Sequence, residues 1–556
     1  MKKFRSILYI MSLAATVSCT QDFAEINTDP SIVTDPDIKF LFTYSEDKLM
    51  TYQGSEWVWE NMEHLMRYTQ HVSASPYELT NNVNSRYNSF YRNIIPNLME
   101  VRRQMEAKGD PEVYQNMKVV TYVLEVIQAM KATDMSGSMP YTEAGEGRYE
   151  VNFAPKYDEQ QLLFSTWLEQ LDLAIATLTL NMDREQLSYG TADLYYQSDW
   201  ENWIKLANTL KLRIAVRVEN QTPDLTRKIF GEVMAHPVGP IDSNESQMMF
   251  THDNYTPFGN GGDILYRSTR FGTMSIVDFL KQSNDPRLGI YFSPNDLVGD
   301  YQQSLDDNGV TLPDFIDPND PLIEYQGGPA DWTVAPDIAI YFSNPLVSGS
   351  DRFFLMSVAN QKFFSPKMNS SSGVWKDAVV SHAESCFYIA ELMAKGYGTG
   401  TASDIAKWYN QGITASIQTM NEIAVAAMST TAFDGNGQAV IEAYLAQPSI
   451  QLTGSDVLEK IYVQQYLNFY RQPNEGFVFC RRTGYPKNSS TYYAREEFNE
   501  VIPRRFWLPD PGEVNRDNWM QAMDQQGFTP LSQDVIDLNS QRIWYDKNAP
   551  AFGQGQ

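Results

Sequence analysis

Cysteine is scarce: three in 556 residues. Cys386 and Cys480 cannot make a disulfide framework in so long a chain, and each reads as a small buried apolar residue. Long hydrophobic runs are missing as well. Beyond the N-terminus no stretch approaches the roughly 18 uninterrupted apolar residues of a membrane span. Histidine numbers five. His64 and His71 lie seven apart on one helical face, with no carboxylate or cysteine at ligand spacing, which speaks against a metal site. Positive charge is in deficit, with 43 Lys and Arg against 69 Asp and Glu and a formal net charge of −26. Such a surface repels nucleic-acid phosphate, so no nucleic acid is expected as a partner. The patterns G-x-S-x-G, H-E-x-x-H and G-x-x-x-x-G-K-[ST] are absent, which removes three common enzyme classes. A glycosidase needs only two carboxylates and is not excluded this way.

What is present begins with Lys2, Lys3 and Arg5, followed by a mostly apolar run from Ile7 to Val17. This is the charge and length pattern of a secretory signal, too short to span a bilayer. Cys19 stands where that run ends. The placement reads as a lipoprotein signal: residues 1–18 are removed and the Cys19 sulfur is acylated. Two or three acyl chains anchor stably, since each buried CH2 contributes about 0.8 kcal/mol. The alternative is a secreted protein whose Cys19 is discarded or free. Hydrophobic residues make up 42% of the chain, enough for a core and too many for global disorder.

Several segments carry helix start signals. Asp110-Pro111 precedes Met117, Val120, Leu124 and Ile127 on one face. Asp158 with Gln161 precedes Phe164, Trp167, Leu168, Leu171, Ile175 and Leu178. Ser198-x-x-Glu201 reads as a capping box, with Trp203, Ala207, Leu210 and Ile214 inward and Lys211, Arg213 and Arg217 on other faces. Ser381-x-x-Glu384 starts a helix that Gly396 stops, and Ser403 caps a partner carrying Ala406, Tyr409, Ile413 and Met420. The pair has tetratricopeptide-like length, and such units must stack to bury their faces. Ser455 to Tyr470 is apolar nearly all round, as a buried helix is. Trp57 and Trp59 fall in a helix and read as packing. The fold class is therefore mostly α. The scaffold is expected over about 39–235 and 381–470, a loop-rich portion with a few short strands over about 236–380, and an irregular part over 471–556, where "FVFCRR" reads as a short strand. Long loops in a compact chain are usually functional.

The pieces "FAEINTDP", "ATDMSGSMPYTEA", "WIKLANTLKLRIAVR", "NDPRLGIYFSP", "AESCFYIAELMAKGY", "EKIYVQQYLNFY", "RRTGYP" and "IPRRFWLPDPGEVNRDN" follow one another along the chain. In this order they resemble the SusD/RagB family of Bacteroidetes-type surface lipoproteins. The second keeps the family order T-D-x-x-G-x-x-P-Y-x-E-A through Thr133, Asp134, Gly137, Pro140, Tyr141, Glu143 and Ala144. In the last, Trp507-Leu508-Pro509 replaces the usual Tyr-Pro. The resemblance implies one domain over 19–556 with four tetratricopeptide-like helix pairs. It also implies a non-catalytic, lipid-anchored outer-membrane receptor facing the cell exterior, which binds oligosaccharide and acts as a hinged lid on a SusC-like TonB-dependent transporter. RagB-like members take peptide instead.

Sugar rings stack on Trp or Tyr, and nearby polar side chains satisfy their hydroxyls. The loops offer Trp332 beside Asp331 after a Gly-Gly-Pro turn, with Tyr325 upstream. Tyr291, Tyr255 and Trp375 lie on other segments, and Tyr77 and Asn82 in "SPYELTNN". For each of these a place in the core is the plainer alternative. No cofactor is expected. A structural calcium is conceivable in the acidic loop from Asp306 to Asp320, where a solvated loop without EF-hand spacing is the plainer reading.

Overall fold

The computed structural model describes residues 36–50, 56–74, 81–148, 150–252, 270–309, 311–333, 355–367, 371–532 and 534–555. The signal segment and Cys19 lie outside them. The helices of the scaffold are α1 (Ile38–Asp47), α2 (Ile95–Glu106), α3 (Gln115–Ser136), α4 (Gln160–Leu180), α5 (Trp200–Val218), α6 (Pro223–Ala235), α7 (His382–Ala394), α8 (Ala402–Ala426), α9 (Val457–Asn468) and α10 (Pro473–Thr483). Helices α1 and α2, α3 and α4, α5 and α6, and α7 and α8 pack as pairs, and α2 meets α3, α4 meets α5 and α5 meets α7. The fold is mostly α, built on four stacked helix pairs, as the resemblance implied.

The apolar positions expected to face inward do so. Leu124 and Ile127 of α3, Trp167 and Leu171 of α4, Trp203 and Leu210 of α5, and Phe387 of α7 are buried. Helices α7 and α8 approach closely at Gly412, where a Cβ would lie 2.7 Å from the Phe387 ring. The caps differ from the sequence reading. Asp158 caps nothing: its carboxylate accepts from the backbone of Tyr141 (2.9 Å) and Thr142 (2.7 Å) and fastens the "PYTEA" turn. Asp199, not Ser198, caps α5, because Ser198 sits at φ +67° with its Oγ accepting from Tyr189 and Gly190. Thr401 with Asp404 forms the capping box of α8, two residues before Ser403. Ser381 does cap α7.

"FVFCRR" is not a strand. It lies in α10, opened by Pro473 and closed by Gly484 in the left-handed conformation. Every residue of this helix is buried, so no alternation of faces shows in its sequence. The loop-rich part supplies two antiparallel ladders. β1 (Ser73–Ala74) pairs with β3 (Arg270–Phe271), and β2 (Met248–His252) with β4 (Trp375–Val380) across a bulge at Met248/Met249.

Helix α5 departs most from expectation. Lys211, Arg213 and Arg217 are buried, not solvated. Arg213 forks onto Glu384 of α7 (2.6 and 2.7 Å). Arg217 reaches Asp134 of α3 and Glu475 of α10, both at 2.8 Å. Asp134 also accepts from Asn474 (3.1 Å) and the Tyr545 hydroxyl (2.7 Å), while Arg481 donates to the Asp134 carbonyl (2.8 Å). Four of the sequence pieces that carry the resemblance therefore meet in one buried ionic knot. Burial alone would raise the Glu475 carboxyl, but Arg213 and Arg217 outweigh it and hold it at about 2. Cys386 and Cys480 are buried, as expected, and burial pushes the Cys480 thiol up to about 12.

Candidate functional site

Trp332 stands on a short, heavily tied loop. The Gly328 N–H donates to the Gly272 carbonyl (2.8 Å) and the Met274 N–H to the Gly328 carbonyl (2.9 Å), fixing the turn beside β3. The Ala330 N–H donates to the Glu496 carboxylate (2.8 Å), which also accepts from Ser275 (3.0 Å). Ser73 Oγ on β1 donates to the Pro329 carbonyl and accepts from Trp332 Nε1 (2.8 Å). One flank of the indole leans on a small cluster that includes Phe271, Ile323 and Val358, and the ring stays partly exposed. Its position is thus set before any ligand arrives.

Asp331 serves this loop and does not face outward. It is 1% exposed, and its carboxylate accepts from the Thr333 N–H (2.8 Å), the Thr333 hydroxyl (2.6 Å) and the Asn499 N–H (2.7 Å). Burial would raise its pKa, but these hydrogen bonds outweigh that and hold it below the usual carboxylate value. The loop carrying Glu496 to Glu500 is thereby drawn against the tryptophan loop, and Glu500 is clamped by Arg67 (2.5 and 2.8 Å). Thr333, Glu497 and Asn499 are exposed on this rim. The rim brings a fixed, partly exposed indole together with hydroxyl, carboxylate and amide groups, the residue types that stack on a sugar ring and satisfy its hydroxyls.

The other sequence candidates divide. Tyr291 is buried, stacked on Tyr470 at 4.2 Å, and its hydroxyl donates to the Leu467 carbonyl (2.8 Å). Trp375 is buried at the start of β4, edge-on to Trp57 (5.7 Å) and under the Arg471 guanidinium (4.5 Å). A ring packed on both faces cannot stack on a ligand, so these two are core. Tyr325 is half-buried, with its hydroxyl beside Gly289 and Thr431. Asn82 lies in the turn Asn81–Asn84. Tyr77 and Tyr255 lie outside the described residues. Sequence reasoning missed Ser73, Glu496 and Asn499. No local signal ties them to Trp332, from which Ser73 and Asn499 are separated by well over a hundred residues.

The acidic loop does not gather its carboxylates. Asp320 pairs with Lys281, Asp317 accepts from Asn319, and Asp306 and Asp307 accept from Gln302 and Gln303. Among the described residues no group of three His, Cys, Asp or Glu side chains could hold a metal ion. His71 is buried and stacked on Tyr466 at 3.9 Å. No helix among the described residues is long and apolar enough to cross a membrane.

A family model described as starch-binding and associating with the outer membrane matches residues 30–313 and 342–509. Among solved structures, a chitin-binding protein superposes with TM-score 0.69 at 23% identity, over 92% of this chain and 100% of its own. A chitin-binding SusD homologue from Flavobacterium johnsoniae gives 0.66 at 19% over 93% and 100%. A SusD homologue from Bacteroides fragilis gives 0.67 at 17% over 92% and 100%. These likenesses show a common fold. No curated protein matches the chain.

Proposed function

The chain belongs to the SusD-like family, and from that premise we propose that it is a non-catalytic receptor that captures oligosaccharide outside the cell. The captured glycan passes to a SusC-like TonB-dependent transporter, on which the receptor sits as a hinged lid. Acyl chains on Cys19 tether it to the outer membrane, facing the exterior. The observation that carries this reading is the Trp332 rim. An indole held through its N–H by Ser73 binds a flat apolar sugar face at little ordering cost. Exposed Thr333 and Asn499 then meet the hydroxyls. The chitin-binding relatives favour a glycan over a peptide.

Calorimetric titration with chitin- and starch-derived oligosaccharides tests the reading. Trp332→Ala should weaken glycan binding by about tenfold or more, the scale of losing one aromatic anchor. Unchanged affinity would remove Trp332 from the site. Binding of peptides in place of every glycan would transfer the rim to peptide capture. Co-purification of a transporter barrel from detergent-solubilised membranes tests the partner.

A further inference from the structure

A second concave site shares no residue with the Trp332 rim. It lies between α1, α3 and the helical stretch formed by Ser85–Ser89 and Phe90–Ile94, and encloses ≈ 310 Å³. Three cations, Lys48, Arg92 and Lys131, line it against one carboxylate, Glu56. That balance is unusual in a chain with 26 excess negative charges. Lys48 is already paired with Asp47 at 3.0 Å. Lys131 is half-buried, its Nζ donates to the Leu49 carbonyl (3.0 Å), and among the described residues it makes no ion pair. Burial pulls this ammonium down to about 8, Glu56 offsetting only part of the lost hydration while Arg213 and Arg86 add to the lowering.

Gln128, one helical turn before Lys131, gives an independent signal. It is 3% exposed, and its Nε2 donates to the Arg86 carbonyl (3.0 Å), which fixes which end of the amide points where. Its Oε1 is buried and accepts from no group among the described residues. A buried acceptor is costly to leave so, and Gln128 is among the residues that line the cleft. A matching ligand must bring an anion to Lys131 and Arg92 and a hydroxyl donor to Gln128. The volume suits one sugar-sized unit, and Asn88 and Ser89 add hydroxyl-binding groups.

We propose that this cleft binds a carboxylate-bearing sugar, its carboxylate on Lys131 and Arg92 and a ring hydroxyl donating to Gln128 Oε1. The inference is independent of the Trp332 rim. Calorimetry on the intact protein with glucuronate, glucose and inorganic sulfate tests it. Glucuronate should bind saturably, and glucose and sulfate at least about tenfold more weakly. Lys131→Met should cost glucuronate about tenfold. Arg92→Gln, at an exposed position where folding is not at stake, should lose affinity in the same direction, while Trp332→Ala should change nothing. Glucuronate bound no better than glucose, or equally by wild type and Arg92→Gln, would overturn the proposal. Sulfate as tight as glucuronate would overturn the assignment to a sugar, and loss of glucuronate binding in Trp332→Ala would overturn a separate site.

Discussion

At the scale of single residues, the decisive groups are charges with no water around them. Arg217 is 0% exposed and finds its counter-charges in Asp134 and Glu475. Removing one partner leaves a buried charge uncompensated, a loss that exceeds what the intact pair contributes. Glu475→Gln should therefore destabilise by about 3 kcal/mol in urea unfolding. Glu475→Gln with Arg217→Met should lose less than the sum of the two, since they share one interaction. His71 gives a pH-dependent case. The Tyr466 carbonyl can only accept, so Nε2 carries the hydrogen and Nδ1 accepts from Thr69 (both contacts 2.8 Å). Burial lowers this histidine to about 4, against the raising hydrogen bond to Tyr466. The unfolded chain takes up that proton near pH 6.5 and the folded one only near 4. The stability contributed is thus complete above 6.5 and declines as pH falls towards 4. Between those values the urea midpoint of wild type should fall more steeply than that of His71→Phe; parallel curves would show that His71 is not buried neutral.

At the scale of elements, apolar spacing located most scaffold helices, because a one-sided helix writes its buried face at period 3.6. Helix α4 is such a case: Phe164, Trp167, Leu171, Ile175 and Leu178 all face the core. Helix α10 defeated the same test, since a helix enclosed on every side has no polar face to mark the period. Its boundaries were still legible, with Pro473 in the first turn and Gly484 just past the end. Arg213 and Arg217 misled for a related reason: sequence shows a charge but not the carboxylate 171 or 258 residues away that takes it inside. Gly484 offers a sharp test. At φ +71°, a Cβ would lie 2.7 Å from both the Ala551 carbonyl and the Gly555 nitrogen. Gly484→Ala should cost about 2 kcal/mol, the left-handed penalty with a backbone clash added. At Gly527, also left-handed but with open space around it, the same change should cost less.

At the scale of the whole molecule, the helix pairs and the Trp332 rim were unequally readable. The order of short pieces along the chain gave the scaffold, and the buried knot joining Asp134, Arg213, Arg217, Glu384 and Arg481 around Glu475 explains why residues of four such pieces occur together. The rim depends on long-range closure. Trp332, set apart in sequence by a Gly-Gly-Pro turn and an acidic neighbour, stays partly exposed, whereas Tyr291 and Trp375, equally aromatic and equally loop-like in sequence, turn inward to stack and pack. The lipid tether is a separate claim at this scale. Cys19→Ala should move the protein from the membrane to the soluble fraction on cell fractionation, and unchanged partitioning would count against acylation. The receptor reading itself is tested most directly by titrating the intact protein with neutral oligosaccharides while assaying reducing ends in the same samples. The account predicts saturable binding with no new reducing ends. Release of reducing ends, or no binding to any glycan, would contradict it.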